Sequence, residues 1–349
     1  MTLAVLVNSV TINPPLNVLR VLEDLTINYM TYLSSLGRPA PIITWCTDNR
    51  TTEDYNDDRN LTIYANSSTT NDVTTSVLTF TPVRNYSNNS IYCNVSNGYG
   101  AISSSQRLRL DILTQQTKPV IHLQGQTISK VAIIKLRNMS LECTSTGNPI
   151  LTIAWRTPLN GVFSGNVLAL QNVQIQDNGT YHCSALSVRS PTYGIPEVET
   201  KSSSVDVNIM FGQEAPSFTF RTCGMDVKTN QLKVIQGHSV NGTCFAVRNP
   251  SPTYTWSPGT FGHGYAFIID ITQRSYSGTY TCTAANVMEP TLGDSYVGRN
   301  HTIFTLDILF PSSVNGIANT TEAFLSIVCI HLEFHRRQRL SGYTSIASE

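Results

Sequence analysis

Eight cysteines, seven histidines and 23 carboxylates are the residues of this 349-residue chain that could do chemistry. Their types allow metal ligation, nucleophilic catalysis, general acid–base work or thiol oxidation. Spacing removes the first three. His122, His182, His238, His263, His301, His331 and His335 are scattered and make no metal-spaced cluster with Cys, Asp or Glu. No glycine-rich phosphate loop, nucleophile elbow or paired-carboxylate arrangement is present. Gly262-His263-Gly264 reads as a turn and not as a catalytic loop. The stretch Glu53-Asp54-Tyr-Asn-Asp57-Asp58 offers oxygen ligands to a cation, and reads first as a solvated loop. The expectation is a non-enzyme with no cofactor and no metal.

Composition sets the surface on which thiol oxidation would take place. Lys+Arg and Asp+Glu are both 23, so the formal net charge is zero. A nucleic-acid binder would carry a basic excess, and this chain has none. Charged residues make up 13% of the chain, about half the usual share, with Ser, Thr and Asn in their place. Such a surface needs another source of hydration, and sugar fits. Eleven N-x-[ST] sites agree: Asn49, Asn60, Asn66, Asn85, Asn88, Asn94, Asn138, Asn178, Asn241, Asn300 and Asn319. Asn94 beside Cys93, and Asn178 just before Tyr181, are placed where burial would block use.

The elements that position the cysteines come in repeats. Trp45, Trp155 and Trp256 are 110 and 101 residues apart. Cys143 and Cys244 each lie twelve residues before a tryptophan. Downstream stand Asp177-Asn-Gly-Thr-Tyr181-His-Cys183 and Ser277-Gly-Thr-Tyr280-Thr-Cys282. Each repeat closes on an alternating run: Leu108-Arg-Leu110-Asp-Ile112, Val205-Asp-Val207-Asn-Ile209 and Phe304-Thr-Leu306-Asp-Ile308. Period two marks half-buried strands.

This order of Cys, Trp and Tyr-x-Cys resembles the immunoglobulin superfamily over roughly residues 8–310. The resemblance implies an all-β chain of three tandem immunoglobulin-like β-sandwiches, with a short C-terminal apolar and basic tail. The expected domains are 8–113, 118–211 and 214–310, followed by a stalk and tail at 311–349. It also implies disulfides Cys143–Cys183 and Cys244–Cys282 across the cores, with Trp155 and Trp256 packed beside them and Trp45 as the core tryptophan of the first repeat. Tyr181 and Tyr280 would cap the strand corner with their hydroxyls. Disulfides of this kind persist outside the cytosol.

The first repeat departs from the pattern. Aligning its tryptophan with the others puts Leu33 where the first cysteine should stand. Cys93 is present, but its tyrosine has moved to position 92, leaving Ile91 at the corner. Strand alternation faces Cys46 away from Trp45, so it should not bridge to Cys93. Cys46 is then free or paired with another chain. The gap from Trp to the second Cys is 48 residues in the first repeat, against 28 and 26. That leaves room for extra strands or a long loop through 48–71. The shorter repeats read as C2-type or I-type.

Linkers fall near Thr114–Pro119 and Phe211–Pro216, short and proline-bearing, which predicts a jointed and not a freely floppy chain. Met1–Val7 lacks a basic start and a cleavage site, and reads first as a truncated leader, with export by another route as the alternative. Residues 323–334 are apolar and followed by His335-Arg-Arg-Gln-Arg339. They read as a shortened or degraded membrane anchor, or as a soluble or interfacial tail. Tyr343-Thr-Ser-Ile346 resembles an endocytic sorting signal. Cys223 has no evident partner in sequence, and Cys329 is apolar filler. The expected function is extracellular recognition or cell adhesion, at the cell surface or secreted. The partner would be a protein or glycan on another cell or in the matrix, or a second copy. The alternative is a secreted or matrix structural protein.

Overall fold

The computed structural model describes residues 3–49, 58–212, 214–222 and 225–310. Its regular elements are strands, with four single-turn 3-10 helices among the described residues. Alternation of apolar and polar residues explains them: Leu108, Leu110 and Ile112 are buried while Arg109 and Asp111 are not.

The first sandwich holds β1 (Val10–Asn13), β2 (Val18–Leu22), β3 (Ile27–Ser34), β4 (Ile42–Asp48), β5 (Arg59–Asn60), β6 (Ala65–Thr70), β7 (Val73–Phe80), β8 (Ser90–Ser96), β9 (Ala101–Ser103) and β10 (Leu108–Leu113). One sheet runs β1-β3-β7-β6 and the other β2-β10-β8-β4-β5, with β9 also on β8. Pro14 and Pro15 interrupt the first strand, because proline donates no ladder hydrogen bond. The chain crosses there, and β2 pairs in parallel with β10. β6 is the extra strand that the long Trp-to-Cys gap accommodates.

The second sandwich holds β11 (Val120–Leu123), β12 (Gln126–Thr127), β13 (Lys130–Ile134), β14 (Met139–Thr144), β15 (Thr152–Arg156), β16 (Val162–Ser164), β17 (Val167–Leu170), β18 (Gly179–Arg189) and β19 (Glu197–Met210). Its sheets run β12-β11-β14-β17 and β13-β19-β18-β15-β16. The third holds β20 (Ser217–Thr222), β21 (Met225–Val227), β22 (Gln231–Ile235), β23 (Val240–Phe245), β24 (Thr253–Ser257), β25 (Gly262–His263), β26 (Ala266–Ile269), β27 (Gly278–Met288) and β28 (Tyr296–Leu309). Its sheets run β21-β20-β23-β26-β25 and β22-β28-β27-β24. By contact the chain divides into two compact units, residues 1–130, 140–170 and 179–206, and residues 131–139, 171–178 and 207–349.

Two expectations need correction. Leu33 does not fill the place of the missing cysteine; it is 46% exposed, and Tyr32 is fully buried beside it. Tyr32 lies thirteen residues before Trp45, where the paired cysteines lie twelve before their tryptophans. The intervening connection is one residue longer, and one residue along a strand reverses the face. Cys46 does face away from Trp45, since Trp45 pairs with Cys93 and Cys46 with Tyr92. Yet it is buried, and so is not offered to another chain. Trp256 is half-buried. In the third sandwich β25 pairs with β26 of the other sheet, which leaves β24 at an edge. His263 lies in β25.

Residues 311–349, with Asn319, Cys329, the 323–334 segment and Tyr343–Ile346, lie outside the described residues, as do Met1, Thr2, Cys223, Glu53, Asp54 and Asp57.

Candidate functional site

The outer face of the β9-β8-β4 sheet in the first sandwich is built from two cross-strand rows. Ile42 pairs with Ser96, and Ser96 with Ala101; Thr44 pairs with Asn94, and Asn94 with Ser103. Small side chains make a shallow floor, and an open groove of about 810 Å³ lies over it. Ile42 stands at its rim, 71% exposed. No ionisable side chain lines it. A surface of this kind gives apolar and neutral hydrogen-bonding contacts without a desolvated charge.

Further along the same face the chemistry changes. Arg107 stacks over the Tyr92 ring at 4.3 Å and bonds Asp48 at 2.6 Å. The Tyr92 hydroxyl donates to Asp58. These side chains roof Cys46, which explains its burial on an outward face. Burial pushes the Cys46 thiol and the Tyr92 phenol up from their ordinary pKa values. Cys46 is therefore a protonated, covered thiol, unsuited to nucleophilic work.

On the inner side a polar network stands where a disulfide would. The Tyr32 hydroxyl is 3.3 Å from Ser104 Oγ. Ser104 Oγ also accepts from the Cys93 amide at 3.1 Å. Trp45 Nε1 donates to Ser76 at 2.9 Å. Burial pushes the Cys93 thiol up to about 12. Cys46 and Cys93 are both unbonded to another cysteine.

In the other sandwiches the cysteines are joined: Cys143 to Cys183 with Cα atoms 6.5 Å apart, and Cys244 to Cys282 at 6.6 Å. Trp155 is buried opposite Cys183 in register. Trp256 pairs with Cys282, packs against Phe267 at 5.2 Å, and donates from Nε1 to the Gly264 carbonyl at 2.9 Å. The Tyr280 hydroxyl donates to the Tyr276 carbonyl at 2.8 Å, and Tyr181 is buried. Of the glycosylation candidates, Asn49, Asn60, Asn66, Asn85, Asn88, Asn138, Asn178 and Asn241 are exposed, while Asn94 and Asn300 are half-buried. His182 is exposed on the outer face of β18. Among the described residues no three His, Cys, Asp or Glu side chains gather as a metal site. No described helix is long and apolar enough to cross a membrane.

Sequence reasoning missed the groove because its floor is made of common small residues. The alternation Ile42-x-Thr44-x-Cys46 was the available signal.

With sandwiches of this topology in place, residues 27–102 also match the family described as CD80-like C2-set immunoglobulin domain. That match lies within the first sandwich. Among its relatives, Hemicentin-1 of Homo sapiens is 26% identical over 250 residues, covering 66% of this chain and 4% of the relative. Roundabout homolog 2 of Homo sapiens is 26% identical over 239 residues, covering 65% and 16%. Receptor-type tyrosine-protein phosphatase F of Danio rerio is 25% identical over 232 residues, covering 60% and 11%. The chain thus spans between 4% and 16% of the length of these relatives.

Proposed function

We propose that this chain is a non-enzymatic extracellular recognition module, at the cell surface or secreted, that binds a protein partner through the outer face of its first sandwich. The observation that carries the reading is the neutral, open groove floored by Ser96, Ala101 and Ser103 and rimmed by exposed Ile42. Core contacts of protein interfaces are depleted in charge and rely on shape, and this floor matches that composition. The sandwich is a rigid frame behind it. Immunoglobulin-like sandwiches host many functions, so the site and not the fold supports the step. The two disulfides and the exposed sequons favour an oxidising, secretory compartment. One relative carries "receptor-type" in its name, in keeping with a surface role.

The test is a binding screen of the full chain, secreted and multimerised, against panels of surface proteins, glycans and the chain itself. A hit from the protein panel that Ile42→Arg or Ala101→Arg weakens at least tenfold supports the reading. A glycan or self-binding hit, or a protein hit indifferent to both substitutions, overturns it.

A further inference from the structure

Each of the two linkers is gripped in the same way, and each grip falls wholly within one compact unit. At the first, the Thr114 amide donates to the Asn148 carbonyl at 3.0 Å, and the Asn148 amide donates to Thr114 Oγ1 at 3.0 Å. Asn148 Nδ2 donates to Asp111 Oδ1 and to the Ile112 carbonyl, both at 2.7 Å. Separately, the Thr192 amide donates to the Arg20 carbonyl at 2.9 Å, and the Arg20 amide to Thr192 Oγ1 at 2.8 Å.

The second linker repeats the set. Phe211 and Asn249 exchange backbone bonds of 2.8 and 3.0 Å. Asn249 Nδ2 donates to Asn208 Oδ1 and to the Ile209 carbonyl, both at 2.7 Å. The Thr291 amide donates to the Ala132 carbonyl at 2.8 Å, and the Ala132 amide to Thr291 Oγ1 at 2.7 Å. The residues recur as Asn148-Pro149 and Asn249-Pro250, and as Pro191-Thr192-x-Gly194 and Pro290-Thr291-x-Gly293. Both glycines adopt positive φ, 116° and 93°, which turns the loop back behind the threonine.

We infer that these two loops form a repeated clasp that fixes each joint. A linker held at one point would leave a hinge. Two separate attachments, one at the end of the preceding sandwich's last strand and one at its β2 or β13 strand, oppose both bending and twisting. The first sandwich has only the backbone part of it, with Val5 and Arg38 exchanging two bonds of 3.0 Å. Arg38 stands in place of the asparagine and turns its side chain to Asp72, and its β8–β9 turn, Asn97–Gly100, has no Pro-Thr. The clasp also occupies the loops at that end of sandwiches two and three, so those loops are not free to present variable contacts to a partner.

The test uses the full chain. Hydrogen exchange is followed at the Arg20 and Ala132 amides in the wild type, in Thr192→Val and Thr291→Val, and in Thr192→Ser and Thr291→Ser. Small-angle scattering is recorded on Asn148→Ala/Thr192→Val and Asn249→Ala/Thr291→Val. Valine keeps the shape and removes the hydroxyl, so exchange at the facing amide should rise about five- to tenfold, while serine keeps wild-type protection. Scattering from the paired variants should report a wider range of dimensions, with the Cys183 and Cys282 strands still protected. Unprotected Arg20 and Ala132 amides in the wild type would overturn the inference. So would serine behaving as valine does, or unchanged scattering in both paired variants.

Discussion

The ring of Tyr32 stands edge-on to Trp45, with centroids 4.6 Å apart and planes at 62°. The other two sandwiches carry a half-cystine on the corresponding inner strand. The first sandwich therefore closes its core with an aromatic pair and a hydroxyl network. Edge-to-face pairs contribute about 0.5–1.5 kcal/mol beyond their burial. The hydroxyl satisfies Ser104, which would otherwise be a buried polar group with fewer partners. Burial by itself pushes the Tyr32 phenol above its ordinary range, so it stays protonated.

That placement is open to a crosslinking test. Tyr32→Cys puts a thiol on the inner face opposite Cys93, and Leu33→Cys puts one on the outer face. Under oxidising conditions Tyr32→Cys should lose the mass of two hydrogens, and Leu33→Cys should not. A bridge formed by Leu33→Cys would reverse the register stated here.

Reduction should act unequally along the chain. Removing a native disulfide costs about 2–5 kcal/mol, and only the second and third sandwiches contain one among the described residues. With a strong reductant, hydrogen exchange should accelerate in β14, β18, β23 and β27 and stay unchanged in β3, β4 and β8. Equal loss of protection in all three would mean that the first core depends on a bond that its geometry does not show.

How much of this was legible in the sequence differs by residue. Cys143, Cys183, Cys244 and Cys282 were legible through the resemblance, which implies a sulfur bridge beside a tryptophan in a two-sheet core. Tyr32 did not, because a single extra residue before Trp45 reverses the inner and outer faces, and loop length between strands is not fixed by periodicity. Alternation did place Cys46 opposite in sense to Trp45. It could not foresee the Arg107–Tyr92–Asp58 roof, since those residues meet only when β4, β8 and the following loop are brought together. The clasp residues were visible as Asn-Pro and Pro-Thr repeats, but their partners belong to a different sandwich.

Alkaline pH should weaken the first sandwich. Burial raises the thiols of Cys93 and Cys46 and the phenols of Tyr32 and Tyr92, so the folded state holds their protons more tightly than the unfolded chain. Stability from the thiols is then complete below the unfolded cysteine value of about 8.5, and is lost as pH rises towards about 12, where Cys93 titrates in the fold. The bonded cysteines do not titrate, although Tyr280 in the third sandwich is also raised by burial. Alkylation of Cys93 should be slow at pH 8 and accelerate steeply above pH 9 as the first sandwich opens. Rapid labelling of the native protein at pH 8 would contradict the burial argument.

The sequons should be used unevenly. Asn94 is half-buried in the groove floor, and its Oδ1 accepts from the Ser103 hydroxyl. A transferase needs the amide nitrogen accessible, as it is at the exposed Asn66, Asn85, Asn138 and Asn241. Glycopeptide mass spectrometry should find sugar at those four and little at Asn94. Full occupancy at Asn94 would cap the groove and remove the proposed binding face.

The half-exposed Trp256 depends on a glycine. The backbone of Gly262 lies directly against the indole, and a Cβ added there would collide with Trp256 Cγ. Trp256 cannot move inward, because Phe218 stacks on it at 5.9 Å and Phe267 lies at 5.2 Å. Gly262→Ala must therefore displace the indole outward or shift β25, at a cost of about 1–3 kcal/mol. Outward displacement also breaks the Nε1 bond to the Gly264 carbonyl. In a chain carrying Trp45→Phe and Trp155→Phe, Trp256 is the sole indole, and excitation beyond the tyrosine absorption band reports on it alone. Gly262→Ala should shift that emission to longer wavelength and increase acrylamide quenching. Emission and quenching identical to the parent would show that β25 absorbs the extra methyl and that the edge tryptophan does not rest on the glycine.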